Sequence, residues 1–284
     1  MPRAVRSFVP LLLAGLLSAC SPFIAVNLLV PKNGYSVRRD IAYGSDPRQK
    51  LDIYIPDGLK APAPVLLFFY GGSWETGSRG DYLGFGQAFA SKGIVTIVAD
   101  YRLYPQVKFP AFVQDGASAV AFVHAHAREY GGDARRLFVS GHSAGAYNAV
   151  MLGSDPRYLK AVGGDFSWAR GIIGISGPYD FLPLTDKALI DMFHGANNRA
   201  MLPINYIDTR SDRPPMLLIT GDADDTVGPG NTTRMAAAVN THAGAARTIV
   251  YPGVGHIGII ASLLPPLRDR TSLREDVAGF IDTH

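Results

Sequence analysis

The chain has 284 residues, 47% of them hydrophobic and 18% charged, a balance that fits one large globular domain with an ample core and calls for no second one. The formal charge of +3 comes without a dense Lys/Arg tract, since Arg38-Arg39 and Arg135-Arg136 are short pairs, and this argues against nucleic acid as a partner. Cys20 is the only cysteine, so nothing remains for a disulfide, a thiolate metal site or a cysteine nucleophile.

The N-terminus reads as a segment apart from that domain. Arg3 and Arg6 form a positive region, residues 8–17 an apolar one, and Leu17-Ser18-Ala19-Cys20 closes it with small residues, the layout of a secretory signal. Its apolar core is about ten residues, too short to cross a bilayer as a helix, which takes about 20. The Leu-Ser-Ala-Cys ending resembles a bacterial lipoprotein signal, which implies cleavage after residue 19, acylation of Cys20 and a domain tethered to the cell envelope. In a two-membrane host, Ser21 after the cysteine resembles the pattern sent to the outer membrane. Removing residues 1–19 takes away Arg3 and Arg6 and lowers the charge from +3 to +1. Residues 20–34, with Pro22, Pro31 and Gly34, read as the tether, and residues 35–284 as the folded domain.

From there strands alternate with helices. Residues 35–43 and 50–55 are expected to form two early antiparallel strands around a turn at 44–47. Apolar runs at 65–70, 94–99, 137–140, 171–176, 216–220 and 248–251 match strands buried on both faces. Helix-length segments lie at 81–92, 111–129, 144–153, 231–243 and 271–282, and the alternation predicts a mostly parallel sheet of about eight strands with helices on both faces. Residues 178–215 are irregular apart from a short helix near 188–194. They are too few for a large lid and enough for a wall or small flap.

Chemistry concentrates in the strand-to-helix junctions. Gly141-His142-Ser143-Ala144-Gly145 follows an apolar run and precedes a small-residue helix, which reads as a nucleophile elbow. A serine hydroxyl needs a base, a group to orient that base, and donors for an oxyanion. The two-glycine strand end Tyr70-Gly71-Gly72-Ser73-Trp74 is the candidate for the donors. Of the seven histidines, His256 lies in a glycine-bracketed loop after the last predicted strand and is the candidate base. His142 neighbours the serine on the wrong side of the elbow; the others read as surface or satisfied groups. Asp222, Asp224 and Asp225 share one loop after a buried strand, and only one need orient the base.

With these motifs in place, the chain from about Gln49 onward resembles the α/β-hydrolase superfamily, and within it carboxylesterases related to hormone-sensitive lipase, feruloyl esterases and kynurenine formamidases. The carriers are Tyr70 to Trp74, Asp100-Tyr-Arg-Leu103 with Phe109-Pro-Ala111 and Asp115, Gly141 to Gly145, Gly177-Pro-Tyr-Asp180, Gly221-x-x-Asp224-x-x-Val227 and Gly255-His256, in the order serine, acid, histidine. The resemblance implies Ser143, Asp224 and His256 as the catalytic triad, with Asp225 as the fallback acid, and the N–H groups of Gly72, Ser73 and Ala144 as the oxyanion hole. Relatives usually carry histidine where this chain has Tyr70, a support for the loop. Asp100, Arg102 and Asp115 read as structural.

The implied activity is hydrolysis of short-chain or exposed esters of small molecules through an acyl-enzyme, with no metal or organic cofactor. An amidase of the kynurenine-formamidase type is the alternative, and a non-catalytic surface binding protein on the same fold is the third reading. Trp74, Tyr82, Phe85, Tyr104, Phe109, Tyr179 and Phe193 are candidates to line an acyl or aromatic pocket.

Overall fold

The structure, a computed structural model, describes residues 27–210, 212–242 and 244–284. The expected signal segment, Cys20 and the start of the tether lie outside the described residues. Eight strands form one sheet: β1 (Tyr35–Ala42), β2 (Lys50–Pro56), β3 (Ala63–Phe69), β4 (Val95–Ala99), β5 (Gly132–His142), β6 (Gly171–Ile175), β7 (Met216–Gly221) and β8 (Ala246–Tyr251). Their order across the sheet is β1-β2-β4-β3-β5-β6-β7-β8. The pairs β1/β2 and β2/β4 are antiparallel and all others parallel.

Parallel neighbours require crossovers, and these supply the helices: α1 (Leu83–Ala90), α2 (Ala111–His126), α3 (Ala144–Ser154), α4 (Pro156–Ala161), α5 (Lys187–Met192), α6 (Gly230–Thr241), α7 (His256–Ala261) and α8 (Leu273–Thr283). Helix α1 leads from β3 to β4, and α2 returns the chain across the sheet to β5. Because such crossovers are right-handed, opposite directions of travel put these two helices on opposite faces. Strands covered on both sides must be apolar throughout, and residues 65–69 are wholly buried. Helix α3 is buried along its full length; it has no charged residue, and its alanines and glycines let it lie close against β5 and β3.

The reversal of strand order between β4 and β5 creates a crevice at the carboxyl ends of β3 and β5, where ligands bind in open α/β sheets. Phe69 pairs with Gly141, so the chain leaving β3 and the chain leaving β5 emerge side by side there. The motif at Tyr70 and the motif at Ser143, 73 positions apart, therefore become neighbours.

Several boundaries differ from expectation. Strand β5 begins at Gly132, five residues earlier than its apolar run. Helix α4 was not anticipated; its signal is an Asp-Pro pair, with Asp155 as N-cap accepting from Arg157 N–H and Pro156 at the first turn. The glycine-bracketed segment after β8 opens into α7, with His256 as its first residue. Residues 27–31, expected as tether, are held on the domain: Val30 is buried, the Asn27 amide donates to Gly80 O at 2.8 Å, and Tyr35 Oη donates to Pro31 O. The segment 178–215 folds into α5 and two 3-10 turns whose Met192, Phe193, Met201 and Leu202 are buried, forming a wall beside the crevice. Among the described residues no helix is long and apolar enough to cross a membrane.

Candidate active site

Ser143 stands between the end of β5 and the start of α3 with φ 56° and ψ −124°. This conformation costs on the order of 1–3 kcal/mol in a non-glycine residue. It is held by Ser143 N–H donating to Ile175 O at 2.9 Å and by Tyr147 N–H donating to Ser143 O at 3.1 Å. The flanking glycines are required by contact. A Cβ on Gly145 would lie 2.0 Å from Phe69 O, and one on Gly141 would lie 2.1 Å from Gly145 O. Within 141–150 Ser143 alone is not fully buried, so the turn lifts one hydroxyl out of the core.

His256 Nε2 lies 2.9 Å from Ser143 Oγ, and His256 Nδ1 lies 2.8 and 3.1 Å from the two carboxylate oxygens of Asp224. A carboxylate next to Nδ1 keeps the proton on that nitrogen and leaves Nε2 free to accept from the serine. Asp224 is itself aimed: its Oδ1 accepts from the N–H groups of Thr226 and Val227 at 3.1 and 2.8 Å, and the residue is buried. Asp225 points to solvent, so the fallback acid stays outside the array. Asp222 Oδ1 accepts from Gly253 N–H at 2.6 Å, tying the acid loop to the loop that carries His256.

Beside the serine, the chain after β3 turns sharply: Gly72, Ser73 and Trp74 have φ of 123°, 54° and 58°, and Gly72 O accepts from the N–H groups of Glu75 and Thr76. Among the described residues, no protein acceptor takes the N–H groups of Gly72, Ser73 or Ala144, while Gly72, Ser73 and Ala144 all border the space around Ser143. Tyr70 anchors this turn. Its phenol donates to Asp100 Oδ1 at 2.9 Å and accepts from Arg48 at 2.6 Å; its carbonyl accepts from Tyr101 Oη at 2.7 Å. Asp100 also accepts from the backbone N–H of Arg79. Arg102 grips the buried Asp115 with its guanidinium and its backbone N–H, a structural clasp behind the site.

Two cavities meet at Ser143. One is an open cleft of about 420 Å³ bordered by His142, His256, Ile257, Tyr82, Asp81 and the Gly71-Gly72-Ser73 turn. The other holds about 180 Å³ between Trp74, Phe181, Leu189, Pro178 and Val227. Of the aromatic candidates, Trp74 and Tyr82 line these spaces. Phe85, Phe109, Tyr179 and Phe193 instead belong to the core, because the walls they stand on fold inward, and the Tyr104 hydroxyl bonds Asp191.

His142 has a role that its position in the elbow hid. Its Nε2 lies 3.0 Å from His256 O, so the imidazole donates to that carbonyl, and burial pushes its pKa down to about 3. A neutral ring thus pins the backbone of the histidine opposite the serine. The signal was a histidine directly after a buried apolar strand and before a small-residue helix, a polar ring set in the core that asks for a partner.

Residues 51–239 match the BD-FAE family model. The chain is 29% identical over 270 residues to a protein of Oryza sativa subsp. japonica named probable isoprenylcysteine alpha-carbonyl methylesterase ICME, covering 86% of this chain and 64% of that protein. It is 29% identical to Esterase LipC of Mycobacterium tuberculosis, covering 78% of this chain and 60% of that protein; the chain thus spans less than two thirds of the length of these relatives. A solved esterase from Thermogutta terrifontis with propionate bound superposes with a TM-score of 0.68 at 25% identity, covering 89% of this chain and 94% of that one. On the family match and this fold, the chain belongs to the BD-FAE family and has the α/β-hydrolase architecture.

Proposed function

We propose that this chain is a serine carboxylesterase that hydrolyses short-chain esters through an acyl-enzyme. The observation that carries the reading is the continuous array from Ser143 Oγ through His256 to Asp224, facing a turn of uncommitted N–H groups. Ser143 attacks the ester carbonyl while His256 Nε2 takes its proton, and Asp224 stabilises the imidazolium. The oxyanion receives the N–H groups of Gly72, Ser73 and Ala144. His256 then gives the proton to the leaving alkoxide, so the alcohol leaves on the side that His256 borders, the 420 Å³ cleft. The acyl group takes the other side, where Trp74, Phe181 and Leu189 close a 180 Å³ space that suits a chain of a few carbons. Water enters for deacylation with His256 as base. The resemblance to esterases in the relatives, one of them holding propionate, supports the reading.

The test is turnover of p-nitrophenyl butyrate by wild type and Ser143→Ala. A loss of about 10⁶ is expected from other triad enzymes, and wild-type activity in the variant would refute the assignment. A panel of p-nitrophenyl esters should show kcat/KM falling once the acyl chain outgrows the smaller cavity; rising values out to long chains would reverse the assignment of the two cavities.

We also propose that the chain is exported and acylated on Cys20, supported by the charge, apolar run and Leu-Ser-Ala-Cys ending of residues 3–20. In a two-membrane host Ser21 supports the outer membrane as the destination. Intact mass of the mature protein, with a diacylglyceryl addition and an N-terminus at Cys20, tests this.

A further inference from the structure

Exposed aliphatic side chains occurring singly mean little, but here their placement is uneven. Among the described residues the large hydrophobic side chains that stand exposed are Leu28 (74%), Leu29 (58%), Ile257 (61%) and Val250 (43%). Val250 lies on the edge strand β8. The other three gather near the 420 Å³ cleft: Ile257 borders it, and Leu28 and Leu29 lie in a turn fastened beside two of its lining residues. Ile257 follows His256 and forms part of the cleft wall. Leu28 and Leu29 sit in the turn that Asn27 fastens to Gly80 O, and the next residues, Asp81 and Tyr82, form part of the same cleft. Val30 is buried beside Gly84, which also meets Leu264 just beyond α7, so the turn cannot swing away while the domain is folded.

The chain entering this turn is the one that leads from Cys20. Six residues lie between Cys20 and Asn27, and the seven steps of chain reach at most about 25 Å, roughly half the ~45 Å width of a domain of this size. A domain held at that point, by so short a reach, keeps the face carrying Leu28 and Leu29 toward the surface that holds the anchor.

We propose that the cleft mouth rests on a lipid bilayer, with Leu28, Leu29 and Ile257 entering the boundary between headgroups and acyl chains. The substrate class follows: a short-acyl ester carried by a membrane-resident amphiphile, whose alcohol part passes from the bilayer into the 420 Å³ cleft while the small acyl group fills the 180 Å³ cavity. This rests on the esterase and Cys20 readings, and the following test separates the three.

Full-length protein is purified from membranes and reconstituted into phosphatidylcholine vesicles with bimane attached to Leu29→Cys, Ile257→Cys or Arg135→Cys, the last an exposed site in the half of β5 remote from Ser143. Lipid-borne nitroxide should quench bimane at 29 and 257 at least threefold more than at 135; equal quenching overturns the proposal. The double variant Leu28→Ser with Leu29→Ser should leave p-nitrophenyl butyrate turnover within twofold of wild type and lower turnover of a vesicle-embedded short-acyl ester at least fivefold. Equal loss on both substrates, or no loss on either, overturns it. Absence of the diacylglyceryl mass refutes acylation alone, because quenching is then read on a Cys20→Ser background with vesicles added. Absence of ester turnover refutes the esterase reading alone, because quenching still decides the docking. A doubled mass in light scattering with the label shielded in vesicle-free buffer assigns the patch to a second copy and overturns the proposal.

Discussion

The turn after β5 and the turn after β3 meet at Ser143, and both force non-glycine residues to positive φ, yet they are held in different ways. The elbow is kept by main-chain contact: Gly145 lies where a Cβ would be 2.0 Å from Phe69 O, and Ser143 N–H is tied to Ile175 O. The turn at Gly72 is kept by side chains from elsewhere, with Tyr70 joined to Asp100 and Arg48 and its carbonyl to Tyr101. A rigid main-chain mount places the proposed nucleophile within a narrow tolerance, and a polar side-chain mount fixes the proposed donors less tightly. Damage to the first should therefore cost more than damage to the second.

The largest effects are expected at the proposed reacting array that the elbow presents. Beyond Ser143→Ala, Asp224→Asn should lower kcat about 10⁴-fold, as loss of the orienting acid does in other triad enzymes, whereas Asp225→Asn should stay within twofold of wild type; steady-state kinetics of the pair checks which carboxylate acts. Gly145→Ala leaves the chemical groups intact but drives a Cβ into the β3 carbonyl, and displacement of the serine by about 1 Å should cost about 10² in kcat with a lowered Tm. An elbow that accepts this alanine with full activity would break the comparison. Tyr70→Phe removes the phenol from Asp100 and Arg48 and should cost about 1–3 kcal/mol of stability. Its kcat should fall about tenfold, less than the 10²–10³ for loss of an oxyanion donor, with KM within twofold. Tyr70→His should recover part of that loss if a ring donor at this site is what holds the turn.

The effect that leaves the reacting array unchanged is one of pH on stability. His142 has a pKa of about 3 in the folded protein against 6.5 in its unperturbed state, so between these values the unfolded chain binds a proton that the folded one refuses. The stability this group contributes is present above pH 6.5 and is lost as pH falls toward 3, by at most about 5 kcal/mol. Urea titrations between pH 7 and 4 should show a shallower decline for His142→Gln than for wild type; identical slopes would remove His142 as the source. His142→Ala, which has no side-chain donor, should also lower kcat, because the carbonyl of His256 loses the bond it accepts from His142.

Much of this was legible in the chain. The apolar runs at 65–70 and 216–220 mark strands because residues covered on both faces have no polar alternation to show. The glycines at 141 and 145 mark the elbow because the backbone there admits no Cβ. Asp-Pro at 155–156 carried the start of α4 in plain view. The start of β5 at Gly132 was hidden, since Asp133, Arg135 and Arg136 look like a loop until pairing with β3 is known.

Sequence alone determined the alternation of strands and helices and the serine on its turn, because each follows from local periodicity or from backbone sterics within a few residues; the order serine, acid, histidine came with the family resemblance that those motifs carry. Tertiary structure alone decided that His142 serves the carbonyl of His256 and which aromatic residues line the cavities, and it seats Asp224, the acid the resemblance implied, against His256. It also set the fastening of residues 27–30 beside the cleft. These depend on which distant segments meet across the sheet, and a side chain's partner is chosen by that packing rather than by its neighbours along the chain.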